Sequence, residues 1–258
     1  MSGSPTTPPS GTLTRSEGLY TFFAATFAVV LVLTNIIGVK LFVLFPEGGP
    51  SWLNGGESVT LTSGILTYPI TFLLTDLVAE VWGKKRADLM VVLGFVMSLL
   101  MLAIVKLAVP LTPSAFWTIP ELGFDDSAKL QAAYEATFFY PGILLGASMT
   151  AYLVAQLFDV RLYHFWWRVT KGKHMWIRNN GSTLISQLVD TIIVNSIFLR
   201  WGLNFEWSTI FKIIVAVYIC KVVLAACDTP LIYLGRALVL RYLGIERDAA
   251  PKHAPLEG

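Results

Sequence analysis

Charge is the scarcest property of this sequence. Only 14% of its 258 residues are Asp, Glu, Lys or Arg, against about a quarter in an average soluble domain. Hydrophobic residues make up 55%, and the mean hydropathy is +0.64. A water-soluble globular fold is excluded on these grounds, and an integral membrane protein is expected. The net charge of +2 says little, because the charges are segregated along the chain.

Cysteine and histidine are nearly missing too. Cys220 and Cys227 are the two cysteines. They sit two turns apart on one predicted helix, ~10 Å along its axis. That is too far for a disulfide between them, so both read as buried thiols. His164, His174 and His253 fall in predicted loops or the tail without metal-ligand spacing. No metal or other cofactor is expected. Walker A, dinucleotide-binding, zincin and G-x-S-x-G motifs are all missing. This removes direct ATP hydrolysis by this chain and leaves little enzyme chemistry; no nucleic-acid partner is expected. The short alternating segments of a membrane β-barrel are absent, as is a signal-peptide pattern.

What the sequence does have is six long apolar stretches, at 20–45, 59–82, 89–109, 138–158, 182–201 and 210–240. Each reaches the ~20 residues that cross a hydrocarbon core of ~30 Å. Without water to satisfy the backbone there, the crossings are helices. The reading is an all-α integral membrane protein. Residues 1–17 are a disordered Ser/Thr/Pro/Gly-rich tail, 18–243 a six-helix transmembrane domain, and 244–258 a flexible tail. Pro230 predicts a kink or break near Asp228–Pro230.

The bases alternate with the spans. Arg15, then Lys84, Lys85 and Arg86, then Arg161, Arg168, Lys171, Lys173 and Arg178, then Arg236, Arg241, Arg247 and Lys252 lie on one side. Loops on the other side hold little but Lys129. By the positive-inside rule both termini are cytoplasmic. The loop "DVRLYHFWWRVTKGKHMWIRNN" mixes aromatics with five bases, as a segment at the inner headgroup level does.

Several spans carry groups that lipid does not tolerate. The second reads "YPITFLLTDLVAEVWGKKRA" and places Asp76 and Glu80 at i and i+4, on one helical face. Two carboxylates this close do not both ionise easily, so one is expected protonated or neutralised by a base. Glu80 also reads as a residue that snorkels toward Lys84 or Arg86. The fifth span spaces Thr183, Gln187, Asp190 and Asn195 along one stripe. Such a stripe faces protein or a cavity; helix–helix hydrogen bonding is the bland account of its amides and hydroxyls. Lys221 and Asp228 share a face of the sixth span, and Asp190 and Asp76 are candidate partners for Lys221. Asn35 and Gln156 add further polar groups within spans.

Two blocks, "GILTYPITFLLTDLVAEVWGKKRA" and "AQLFDVRLYHFWWRVTKGKHMWIRNNGSTLISQLVDTII", carry a resemblance. Their T-D-x-x-x-E-x-x-G-K, W-x-R-N-N-x-S-T and S-Q-x-x-D-T motifs are similar to those of the queuosine precursor transporters, also described as vitamin-uptake-transporter-like. The resemblance implies uptake of 7-cyano-7-deazaguanine or 7-aminomethyl-7-deazaguanine across a bacterial inner membrane. It also implies a six-helix bundle like the substrate-binding subunits of energy-coupling-factor transporters.

The residue inventory suits that substrate. One carboxylate can accept the N1–H and 2-amino donors of a guanine-like edge in a forked pair; Asp76, Glu80, Asp190 and Asp228 are candidates. Tyr68, Phe72 or a Trp can face the ring. Asn35, Gln156, Gln187 or a base such as Lys221 can donate to the 6-oxo group. Arg178 and Asn179, inside the W-x-R-N-N block, complete the candidate set. A homodimer is a further expectation for so small a chain. Two competing readings are a membrane-embedded enzyme, such as a lipid-modifying transferase using Asp76 and Glu80, and a structural protein with static buried ion pairs.

Overall fold

The computed structural model describes residues 14–51, 54–169 and 175–244. Thr14 opens α1 (Arg15–Ile37) with a capping box. Its hydroxyl accepts from the Glu17 N–H at 3.2 Å, and the Glu17 carboxylate accepts from the Thr14 N–H at 3.1 Å. Two otherwise orphaned donors are thereby satisfied. After Gly38 comes an antiparallel hairpin of β1 (Leu41–Leu44) and β2 (Val59–Thr62), with Leu41 opposite Thr62 and Leu44 opposite Val59. β2 reads Val-Thr-Leu-Thr. Val59 and Leu61 are buried and the threonines half-buried, the two-residue period of a strand covered on one face.

A 3-10 turn (Ser63–Leu66) leads into α2 (Tyr68–Trp82), with Pro69 in the first turn, where a missing N–H costs no helical bond. The apolar run 59–82 is therefore strand, turn and helix rather than one full span. At 15 residues, α2 is about 22 Å long, shorter than a hydrocarbon core. Hydropathy sums apolar side chains without regard to period, so it merged the elements.

Gly83 ends α2 at φ 86°, and α3 (Lys84–Ala108) begins at the next residue. Only glycine adopts that backbone readily, and it lets α3 fold back on α1 and α2 without a linker. α3 meets α1 closely at Gly94, where an added Cβ would lie 2.8 Å from the Phe27 ring. α4 (Ser127–Phe139) is capped by Asp126, whose carboxylate accepts from the Ala128 N–H at 3.0 Å. α5 (Pro141–Val169) and α6 (Met175–Asn195) follow, and α6 continues as a π-helical segment, Ser196–Gly202. α7 (Trp207–Leu243) closes the order.

Of the expected kink or break at Pro230, a break is ruled out: α7 is continuous through it. Proline removes one ladder bond, and α7 is held on both sides of it: Lys221 lies over the Tyr68 ring, and Gly235 sits against Leu77 of α2. The cysteine expectation is also corrected. Cys220 is half-buried and Cys227 exposed, because an apolar helix face can look toward lipid as well as toward the core.

Among the described residues, five helical segments are long and apolar enough to cross a membrane: 15–37, 84–108, 127–155, 184–202 and 207–224. The protein is a mostly helical, multi-pass membrane protein. Large apolar side chains such as Phe22, Val29, Val92, Leu100 and Val223 point outward, as a lipid-facing surface requires. Inside are two clusters. One joins Val59 and Leu61 of β2 to Leu144, Phe198, Ile210 and Ile213. The other joins Ala24 and Phe27 of α1 to Leu74 and Val78 of α2 and to Met90 of α3.

Candidate functional site

Five of the residues singled out in the sequence come together where α2, α6 and α7 meet. Tyr68, at the first position of α2, donates its hydroxyl to Gln187 Oε1 of α6 at 2.6 Å. One turn further along α2, Phe72 stacks on Tyr68 with ring centroids 4.0 Å apart and planes inclined by 33°. Lys221 Nζ of α7 lies 4.7 Å over the Tyr68 ring and donates to Asp190 Oδ2 of α6 at 2.9 Å. The Phe72 ring and the Lys221 ammonium both lie against the Tyr68 ring.

The local reasons are helical. Gln187 and Asp190 are three apart on α6 and share a face. Thr191 and Asn195, on the same helix, are buried and turn their polar atoms inward: Thr191 Oγ1 donates to the Gln187 carbonyl at 2.7 Å and Asn195 Nδ2 to the Thr191 carbonyl at 2.8 Å. These two bind their own helix and leave the Gln187 and Asp190 side chains to reach α2 and α7. The start of α2 is fixed against α1 by a 2.7 Å hydroxyl bond between Thr67 and Thr34.

The cluster pairs a donor-rich cation, a carboxylate, an amide and two flat rings. The Lys221 and Asp190 side chains are 12% and 24% exposed. An ion pair this sheltered is screened weakly, and losing either partner strands the other charge.

The expectation of a site lined by buried carboxylates is corrected. Asp76 is exposed, Glu80 is 44% exposed and pairs loosely with Arg236 at 3.6 Å, and Asp190 is only partly covered. α2 packs against α1, α3 and α7, and Glu80 meets α7 at this partly exposed edge. Asp190, rather than Asp76, is the partner of Lys221.

Asn35 lies elsewhere. It is buried between α1 and α3, where Nδ2 donates to the Leu31 carbonyl at 3.0 Å and to Ser98 Oγ at 3.3 Å. That is helix-to-helix hydrogen bonding. Gln156, Arg178, Asn179 and Asp228 have side chains outside the described residues. Sequence reasoning passed over Arg236 as a site residue. It stood among the bases that mark membrane sidedness, and only its spacing across from Glu80 would have separated it.

An open groove of about 230 Å³ lies apart from this cluster, between the hairpin and the start of α7. Glu57, Thr60, Thr209 and Lys212 line it, and Lys212 faces Glu57 at 3.6 Å with both side chains well exposed. Its exposed charges mark a solvated mouth, not a heterocycle pocket.

Comparison with known proteins gives two matches. The family described as "Putative vitamin uptake transporter" matches residues 62–235, from the end of β2 to within α7. A protein of Bacillus subtilis (strain 168) described as "Probable queuosine precursor transporter" is 32% identical over 184 residues, 70% of this chain and 74% of the relative. No solved structure gives a significant match. The residues matched by the family include Tyr68, Phe72, Gln187, Asp190 and Lys221.

Proposed function

The chain belongs to the vitamin uptake transporter family, and from that premise we propose that this multi-pass membrane transporter takes up queuosine precursors, 7-cyano-7-deazaguanine or 7-aminomethyl-7-deazaguanine, at the Tyr68 cluster. The observation that carries the proposal is the Tyr68–Phe72–Lys221–Asp190 arrangement inside the matched segment. A flat, electron-rich base takes the place of the ammonium on the Tyr68 face. Asp190 then exchanges its bond to Lys221 for the N1–H and 2-amino donors, and Lys221 donates to the 6-oxo oxygen. Both charged groups keep hydrogen-bond partners throughout, and this offsets part of the cost of separating them in a weakly screened site.

A bacterial inner membrane, cytoplasmic termini, six crossings in an S-component-like bundle and a homodimer belong to the same proposal. Supporting six crossings, α2 with its preceding turn runs between the inner and outer ends of α1: Trp82 Nε1 donates to Ser16 Oγ, and Thr67 bonds Thr34. Supporting the sidedness is the alternation of lysine and arginine.

The rival reading is a static ion pair, for which the 2.9 Å Lys221–Asp190 contact is equally fitting. A bacterial strain unable to make the precursor separates the two. Supplied with 7-cyano-7-deazaguanine at low concentration, it is expected to place queuosine in its transfer RNA only when this protein is present. Queuosine appearing equally without the protein contradicts the substrate assignment.

A further inference from the structure

α2 and α7 remain in contact beyond the Tyr68 cluster. Leu77 meets Gly235, and one turn further on Glu80 faces Arg236. Among the described residues, Arg236 Nε is the buried side-chain polar atom that makes no hydrogen bond. Glu80 Oε2 lies 3.6 Å from it, near enough for attraction between charges and too far for a hydrogen bond. An unmet N–H on a guanidinium is costly, and folded proteins hold few such groups without a reason.

We infer that Arg236 and Glu80 form a second binding station, which reads the adjacent C=O and N–H of a lactam edge on a small neutral heterocycle.

The chemistry follows from the pair itself. A guanidinium donor beside a carboxylate acceptor matches a ligand with an acceptor beside a donor, and a cis-lactam presents that arrangement. A carboxylate or phosphate ligand would meet Arg236 but be repelled by Glu80. An amine would meet Glu80 but be repelled by Arg236. A neutral lactam satisfies the open Nε–H and bonds the carboxylate without adding charge. The Arg236 and Glu80 side chains are 30% and 44% exposed as wholes while Nε itself is buried, so a ligand engages Nε only as the guanidinium turns outward from its cover.

The station is separate from the first. Glu80 is twelve positions beyond Tyr68 on α2, about 18 Å, and Arg236 fifteen positions beyond Lys221 on α7, about 22 Å. One two-ring base cannot touch both. The seam therefore offers a stacking station at the start of α2 and a lactam station at its far end, next to Gly83 and the Lys84–Lys85–Arg86 start of α3.

This inference rests on the 7-deazaguanine reading above, and binding stoichiometry separates the two. Equilibrium dialysis of purified wild-type protein against 7-cyano-7-deazaguanine is expected to find two classes of site per chain. Arg236→Met is expected to weaken one class by roughly tenfold to a hundredfold and leave the other unchanged; Asp190→Asn is expected to do the reverse. One equivalent per wild-type chain overturns the second station without recourse to any variant, as do two classes that both survive Arg236→Met. No binding to wild type overturns the substrate reading and this inference with it.

Discussion

Tyr68 offers a ring face and a hydroxyl, and the two can be removed separately. Tyr68→Phe deletes only the bond to Gln187 Oε1, about 1 kcal/mol, so affinity for 7-cyano-7-deazaguanine is expected to fall by no more than roughly tenfold. Tyr68→Leu deletes the stacking face, about 1–3 kcal/mol, and is expected to cost roughly 5- to 150-fold. Equal losses in equilibrium binding would move recognition away from the ring. Asp190→Asn is expected to weaken binding by roughly 30-fold or more, a charged bond of about 2–5 kcal/mol. A purely structural pair predicts a lower melting temperature with affinity unchanged. These residues were legible because an acid, a base and an amide stand out in apolar runs. Which of them meet was not, because Asp76 and Asp190 had equal standing as partners of Lys221. Asn35 looked like a site residue for the same reason that it is buried: a polar group in a span must find a partner, and here Ser98 is that partner.

Among the elements, the α2–α3 turn has the sharpest requirement. Gly83 at φ 86° has open space where a Cβ would go, so the cost of Gly83→Ala is conformational alone, about 1–3 kcal/mol. Gly146, inside α5 and equally open at that position, is expected to gain about 0.5–1 kcal/mol on replacement by Ala. Melting temperatures of the two variants should therefore shift in opposite directions; a common direction would mean that the Gly83 backbone is not needed. The turn itself was readable as a stop before three bases. β2 was readable only in principle. Val59 and Leu61 alternate with threonines in a two-residue period, but the run continues into the apolar α2, and a window long enough to find spans averages the period away. The π-helical turn at Ser196–Gly202 left no mark in composition at all.

For the whole molecule, the alternation of bases predicts sidedness. Single cysteines placed at Gly49, Lys84, Asp126 and Lys171 in a background lacking Cys220 and Cys227 are expected to label from outside, inside, outside and inside. Gly49 and Lys84 labelling from the same side would break the topology. The family and the membrane class were legible from two sequence blocks and from the shortage of charge. The packing of α2 between α1, α3 and α7 was not, since it depends on contacts between elements far apart in the chain. That packing brings Tyr68 to Lys221 and Glu80 to Arg236, and it underlies the central claim that a 7-deazaguanine base occupies the Tyr68 cluster during transport. Counterflow of 7-cyano-7-deazaguanine in proteoliposomes tests that claim most directly. Wild-type protein is expected to exchange labelled for unlabelled base, and Asp190→Asn, folded by its melting curve, to fall to a small fraction of that rate at the same concentration. Exchange at the wild-type rate by folded Asp190→Asn, or none by wild type, would contradict it.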